Sequence, residues 1–423
     1  MKHLTIAAVV LFPVLVLPLR QDSGAADALW ALGLLLLAAY LLQALAALLH
    51  LPDALGWLAA GLLLGSTGMG ILAPQSLPLL RVAQTTAMLL VGLQVGSNLG
   101  IPRGLAWRGC LTMLLITVAV AALTAGALMV FTRQPWWMAL FLGSLASLWG
   151  PFVIPPRPGR RGILLLGAMG TGVGLLLLSF VVILLRERGV LAGAALPWML
   201  RVWISLLGGA ITGAVLRWLP ALRTAALNTV LAGGLVAGTL VIHQLALLAL
   251  PCGFGAGLVL ARYHDGTAST RFVRRSASPF AFMLVFAFLG ASIDLSILWP
   301  SSLEVWLVVL VLLTTATVVR WTGTVVGAFR IMPECGRRWS LGWLLLPHGI
   351  FLYELVLQPQ HNLPALLGSL HAGLLERVML IHVLFGIVVL SIVAYSVDLR
   401  LHRRIPVPSG AALAAHGEEP QPS

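Results

Sequence analysis

The sequence predicts an all-α polytopic membrane protein of roughly 13–14 transmembrane helices, arranged as two six-helix inverted-topology repeats with discontinuous helices. Three observations lead there. Of 423 residues, 60% are hydrophobic and only 9% charged, whereas a soluble domain carries about a quarter charged residues. Apolar stretches near the ~20 residues needed to cross hydrocarbon occupy almost the whole chain. Two of them are interrupted by proline and glycine at matching places in the two halves.

The spans fall at roughly 4–19, 28–49, 54–72, 82–98, 107–131, 136–155, 162–185, 197–217, 225–242, 244–261, 279–298, 303–329, 339–358 and 370–397. Residues 1–24 form an N-terminal helix that also has the basic start and short apolar run of a signal segment; without a convincing small-residue cleavage site it is expected to be retained. A tight corner at His50-Leu51-Pro52-Asp53 leads into 54–72, where Gly61, Gly65, Gly68 and Gly70 allow another backbone to approach. Gln94 lies near the end of the next apolar run. The span at 136–155 meets Gly150-Pro151, where a backbone donor is lost and the helical ladder is interrupted. After a short basic loop, the span at 162–185 carries Gly167, Gly170, Gly172 and Gly174, so two adjacent spans are expected to be weakened near their middles. Such irregular backbone is tolerated in lipid only where protein or an internal cavity covers it.

The expected organisation is a first repeat over 25–190, a linker helix over 191–222, a second repeat over 223–398 and a disordered cytoplasmic tail over 399–423. In the second block Pro347-His348-Gly349 interrupts the span at 339–358. Each broken span is the fifth of its six-helix block, and the offset of seven spans is odd, so the blocks enter the membrane from opposite sides. Order and breaks carry this inference, because the blocks share no recognisable sequence identity.

The formal net charge of +13 is a matter of orientation. With the C-terminus in the cytoplasm, 18 of the 26 Lys and Arg lie at inward-facing ends, including Arg157, Arg160, Arg161, Arg271, Arg274, Arg275, Arg337 and Arg338. Six lie at outward ends, namely Arg20, Arg81, Arg133, Arg186, Arg188 and Arg201, while Arg320 and Arg377 fall within spans. This bias places both termini in the cytoplasm if the first helix is retained, and the expected location is the bacterial inner membrane. No nucleic-acid motif accompanies the charge. Cys110, Cys252 and Cys335 are too scattered for a disulfide framework or metal spacing. No nucleophile–base pairing or phosphate loop suggests an enzyme, and no cofactor or metal is expected.

Seven motifs in order resemble the membrane domain of the monovalent cation:proton antiporter superfamily, the sodium/hydrogen exchanger-like fold. They are LPDALGWLAAGLLLGSTGMGIL, VGLQVGSNL, SLASLWGPFVI, GAMGTGVGLLLL, FGAGLVLAR, FAFLGASIDL and LLPHGIFLYELVL, and the resemblance that follows their order covers about residues 28–397. The resemblance implies a homodimer in the lipid bilayer, with a core unit that holds crossed broken helices and moves against a dimerisation unit. It also implies an acidic residue beside the crossing for which protons and monovalent cations compete.

The titratable positions of that pattern are altered here. The family's acidic residue after "GL" is Gln94; its Thr-Asp before the break proline is Trp149-Gly150, ahead of Pro151; its acidic pair falls on Gly170-Thr171; and its Arg and Glu around the second break are His348 and Ile350, beside Pro347 and Gly349. Thr171 can offer a hydroxyl to a cation but cannot exchange it for a proton, and Trp149 fills the place of a small ligand residue. Backbone carbonyls around Gly150 and Gly170 are further ligand candidates. Intramembrane ionisable groups are functional suspects, and two readings stand for Glu354: a replacement carboxylate, or a structural partner of Arg320. His348 either titrates near neutral pH or satisfies freed carbonyls. Asp294 is read as structural, and Glu376 and Arg377 as interfacial. The expected function is exchange of a monovalent cation, Na+ or K+, for protons through an altered site. The alternative is a transport-inactive homologue serving as a membrane partner or sensor.

Overall fold

The computed structural model describes residues 24–72, 78–97, 106–148, 161–189, 195–217, 238–239, 242, 245, 247–263, 278–293, 295, 302–331, 354 and 369–403. Eleven helices run through them: α1 (Gly24–Leu48), α2 (Asp53–Leu64), α3 (Pro78–Ser97), α4 (Ala106–Thr132), α5 (Trp136–Ala146), α6 (Arg161–Glu187), α7 (Ala195–Arg217), α8 (Ala249–Tyr263), α9 (Ser278–Ser292), α10 (Leu303–Ile331) and α11 (Ser369–Arg403). No strand occurs among the described residues. Five helices there, α1, α4, α6, α10 and α11, are long and apolar enough to cross a bilayer. The 27 residues of α4 extend about 40 Å, beyond the ~30 Å hydrocarbon core. Five helices of this length and apolar character, in a chain that is 60% hydrophobic, make it an integral membrane protein.

The outward faces fit that solvent. On α7, Leu200, Ile204, Leu207, Ile211 and Val215 form an exposed apolar stripe at helical spacing. On α4, Leu111, Leu115, Val118 and Leu123 are likewise exposed. Lipid tails cover such surface without penalty.

Packing sorts the helices into two groups. The first holds α1, α2, α3, α7, α8 and α9, with α8 laid along α3 and α7 and α9 along α2 and α3. The second holds α4, α5, α6, α10 and α11, built around α4 against α5, α6 and α10. The groups meet where α6 touches α7 and α3 and where α11 touches α2.

The first group is joined by backbone proximity. A Cβ on Gly92 or Gly96 of α3 would run into the backbone of Leu250, Phe254 or Leu258, and one on Gly253 or Gly257 of α8 into that of Leu89, Leu93 or Ser97. Gly61 of α2 and Gly65, just past its end, meet Ala287 and Ala291 of α9 in the same way. With no hydrophobic drive between helices in lipid, such close contact supplies much of the adhesion.

The structure corrects two expectations about helix continuity. The span at 54–72 is not one helix: α2 stops at Leu64, and the chain folds back so that the Met69 and Leu72 amides donate to the Leu63 and Leu64 carbonyls at 2.7 and 2.8 Å. Gly70 takes φ +63°, which a side chain would strain. Thr67 then binds the end of α9, donating to the Ile293 carbonyl at 2.6 Å. Conversely, α6 runs unbroken through Gly167, Gly170, Gly172 and Gly174. Glycine lowers helix propensity but keeps its N–H, so it does not interrupt the ladder as proline does.

Candidate functional site

The site is built from helix ends buried inside the protein. α5 starts after Pro135, whose φ of −59° suits a helix entry, and has only 11 residues. That is about half of what a crossing needs. It stops within the protein, with Ala146, Ser147 and Leu148 all buried. Ser144 and Ser147 turn their hydroxyls back onto the Phe141 and Ser144 carbonyls, each at 2.7 Å, and the Ser147 amide bonds the Gly143 carbonyl at 3.0 Å. This tightening leaves the last carbonyls facing away from the helix. Gly174 of α6 gives them room, since a Cβ there would meet the Leu148 side chain at 3.1 Å.

Arg320 of α10 closes that end. Its side chain is 1% exposed, and Nη2 donates to the carbonyls of Ala146 and, at 2.6 Å, Leu148. A guanidinium at a helix C-terminus meets both the free carbonyls and the negative end of the helix dipole.

A second buried helix end carries the opposite charge. α8 begins at Ala249, and its first amides are all satisfied. Leu248 donates to Ser205 Oγ of α7 at 2.8 Å, and Leu250 donates to both carboxylate oxygens of Glu354 at 3.1 Å each. Ala249 also bonds the Glu354 carboxylate, Pro251 has no N–H to satisfy, and Cys252 makes the first intrahelical bond, to Leu248, at 3.2 Å. Glu354 is 1% exposed. Its hydrogen bonds go to the amides of α8 and not to Arg320, so each charge sits on a different helix terminus.

The remaining candidates divide. Thr171 and Gly170 are buried on α6; the Thr171 hydroxyl donates to the Gly167 carbonyl at 3.0 Å, and Gly170 lies within a continuous helix, not at a break. Gln94 is buried on α3, in the other helix group, and its Oε1 accepts no hydrogen bond among the described residues. Trp149, Gly150, Pro151, Pro347, His348, Gly349 and Asp294 lie outside the described residues. Of the two interfacial residues, Glu376 is exposed and Arg377 half-buried.

Sequence reasoning passed over His382, which is fully buried on α11 within electrostatic reach of Arg320. The available signal was an imidazole in the apolar stretch that follows Glu376 and Arg377, the same rule that singled out Arg320. It also missed the start of α8, which Pro251 marks as a first-turn proline.

Comparison with solved structures decides the architecture. The structure of the sodium proton antiporter MjNhaP1 from Methanocaldococcus jannaschii at pH 8 superposes with a TM-score of 0.56 at 16% identity, over 89% of this chain and 99% of that one. This chain has the sodium/proton antiporter fold. The electron-microscopy structure of the same antiporter superposes with a TM-score of 0.60 at 14% identity, covering 95% of this chain and 100% of that chain. No family profile matches the sequence, and no curated protein matches it. The antiporter fold is therefore carried by helix order and packing across nearly the full chain, at a sequence identity that speaks to fold alone.

Proposed function

We propose that the protein is a secondary transporter of the cation:proton antiporter type, exchanging a monovalent cation, Na+ or K+, for protons through an altered ion site. The observation that carries this reading is the end of α5 at Ala146, buried within a bundle that has the antiporter fold. A helix half the length of a crossing that ends among other helices offers backbone dipoles to a small charged solute.

Packing supports two inverted repeats over 25–190 and 223–398. With the seven-span offset of the sequence, the α2–α9 contact exchanges with α8–α3, the α4–α6 contact exchanges with α11–α10, and α4–α10 and α3–α9 map onto themselves. A pseudo-two-fold axis produces this pattern. The group with α5 and Arg320 is then the core that moves, and the glycine-joined group is the frame through which two copies pair as a homodimer. The charge bias supports termini in the cytoplasm and residence in a bacterial inner membrane. Ion-path candidates remain Gln94, Trp149, Gly150, Gly170, Thr171, Arg320, His348 and Glu354. Among the described residues, Glu354 is the buried carboxylate and so the group that can take up a proton.

The test is flux from purified protein in liposomes. A Na+ or K+ gradient drives proton movement read by an entrapped pH dye, and protein-free liposomes do not show it. Absence of proton movement with Na+, K+ and Li+ in either direction overturns the exchanger reading.

One observation favours the alternative, a transport-inactive homologue acting as a membrane partner or sensor. The Arg320 guanidinium already holds the Ala146 and Leu148 carbonyls, a place a bound cation would otherwise use. Stoichiometric co-purification of a partner, together with absent flux, selects this reading.

A further inference from the structure

We infer that Thr117 of α4 is a positioning residue at the α5 end: its hydroxyl is the second seat of the Arg320 guanidinium, taken up when a monovalent cation occupies the Ala146 and Leu148 carbonyls. The inference rests on the proposed exchanger reading and names the step by which the resident charge makes room for the solute.

Contacts on both sides of α4 place Thr117. A Cβ on Gly143 of α5 would meet the Ala121 carbonyl and the Ala125 amide of α4, and the short connection 133–135 makes the two helices antiparallel. Ser147 lies one turn beyond Gly143, so its level on α4 is one turn before Ala121, at Thr117. On the other side, Cβ atoms on Gly323 and Gly327 of α10 would meet the side chains of Ile116 and Thr112, so α10 is also antiparallel to α4 and Arg320 lies within one turn of Thr117 along the axis. Around that axis Ile116 faces α10, Ala121 faces α5 and Thr117 falls between them. Thr117 therefore points into the gap that the Arg320 side chain crosses from α10 to the α5 carbonyls.

The state of its hydroxyl singles it out. Thr117 is 0% exposed, and its Oγ1 has no hydrogen-bond partner among the described residues. The other hydroxyls around the α5 end, on Ser144, Ser147 and Thr171, each donate to a backbone carbonyl within four residues. An unmet buried hydroxyl is a standing cost, and valine fills the same space without it. Such a group is explained if its partner arrives in another conformation.

Arg320 is the donor whose side chain crosses that gap. A cation on the Ala146 and Leu148 carbonyls would lie close to the guanidinium at low dielectric, so the two charges cannot share the place. The guanidinium is buried and has no route to water. Rotation of its long side chain, without movement of α10, carries it to the Thr117 oxygen, which accepts the N–H released from the carbonyls. Thr117 then sets cation affinity without touching the cation.

The test is a double-mutant cycle on cation affinity, read from the unfolding midpoint of the purified protein in detergent as Na+ or K+ replaces N-methylglucamine at constant chloride. Thr117→Val raises the half-saturating cation concentration by about tenfold or more, as expected for loss of a bond to a charged group. It also raises the ion-free midpoint, because an unmet hydroxyl has gone. Thr117→Ser keeps the oxygen and stays near wild type. In an Arg320→Gln background, with no guanidinium to reseat, Thr117→Val changes the half-saturating concentration by less than about twofold. Thr124→Val is the control: that hydroxyl is equally buried and unpartnered, but two turns along α4 beside the body of α5, so the midpoint rises and the cation dependence stays. NMR of the nitrogen-labelled buried guanidinium reads the same step without an Arg320 variant. Its ion-bound signal coincides in wild type and Thr117→Ser and is displaced in Thr117→Val.

A tenfold effect that persists with Arg320→Gln makes Thr117 a direct cation ligand and overturns the seat. Equal half-saturation in Thr117→Val and wild type, or one ion-bound guanidinium signal in all three proteins, also overturns it. A wild-type midpoint that neither cation shifts removes the displacement and the seat with it. Proton flux in liposomes is read separately. Flux with an unaltered Thr117→Val affinity refutes the seat and leaves the exchanger standing, whereas the full cycle without flux supports the seat and refutes the exchanger.

Discussion

Arg320 and Glu354 illustrate what a buried charge does in an apolar protein: each neutralises the partial charge of a helix terminus that cannot reach water. Arg320→Ala would leave the Ala146 and Leu148 carbonyls without this donor, a loss on the order of 1–3 kcal/mol. Thermal unfolding in detergent should show a lower midpoint, with Arg320→Lys intermediate because an ammonium lacks the planar fork. An unchanged midpoint for Arg320→Ala would mean that the α5 end is held by something else. For Thr171 the expectation differs. Its hydroxyl already bonds the Gly167 carbonyl, so Thr171→Val should change the midpoint little while lowering any cation-dependent flux if the oxygen also serves as a ligand. Equal flux in Thr171→Val and wild type would remove Thr171 from the ion path.

The legibility of these residues was uneven for a physical reason. An ionisable group in an apolar span is conspicuous because burial is costly, so Arg320 and Glu354 were visible from the sequence as suspects. Their partners were not visible. Which helix end each charge meets depends on how α5 and α8 are placed, and backbone amides and carbonyls carry no residue-specific mark. One of the two readings of Glu354 therefore paired it with Arg320. Gly167, Gly170, Gly172 and Gly174 pointed to a weakened span, whereas α6 runs through them unbroken.

At the scale of helices, glycines in apolar runs mean different things, and the structure separates them. Gly253 faces the Leu89 carbonyl and Leu93 amide of α3 with no space for a Cβ, whereas Gly172 has nothing within 4 Å. Gly253→Ala should destabilise by about 1–3 kcal/mol through overpacking. Gly172→Ala should be neutral or stabilise by up to ~1 kcal/mol through helix propensity. Comparing the two midpoints in one detergent checks the assignment; equal effects would contradict the close α3–α8 contact. α5 ends at Ala146, four residues before Gly150, where the sequence placed an interruption; Pro151 and Pro347 themselves lie outside the described residues. The α2 fold-back was missed because Gly61, Gly65, Gly68 and Gly70 serve two purposes. Gly61 and Gly65 fit α9, while Gly70 makes the turn.

For the whole molecule, the fold class was readable from composition, span order and the positions of the breaks, all of which survive when side chains change. The ion and its path were less readable, because the positions that the resemblance matches to titratable residues are Gln94, Trp149, Gly150, Gly170, Thr171, His348 and Ile350 in this sequence. What the packing adds is the division into two groups, one joined by glycine contacts and one built around α4, with a buried helix end on the side that would move. The central claim is that this end is presented in turn to the two faces of the membrane. Ser147 is fully buried beside it, so a cysteine there reports access. Ser147→Cys, with the native cysteines changed to serine, should react with a membrane-impermeant thiol reagent both in right-side-out and in inside-out vesicles. A cysteine at 147 that stays unreactive from both faces while the protein remains folded would contradict alternating access at the α5 end.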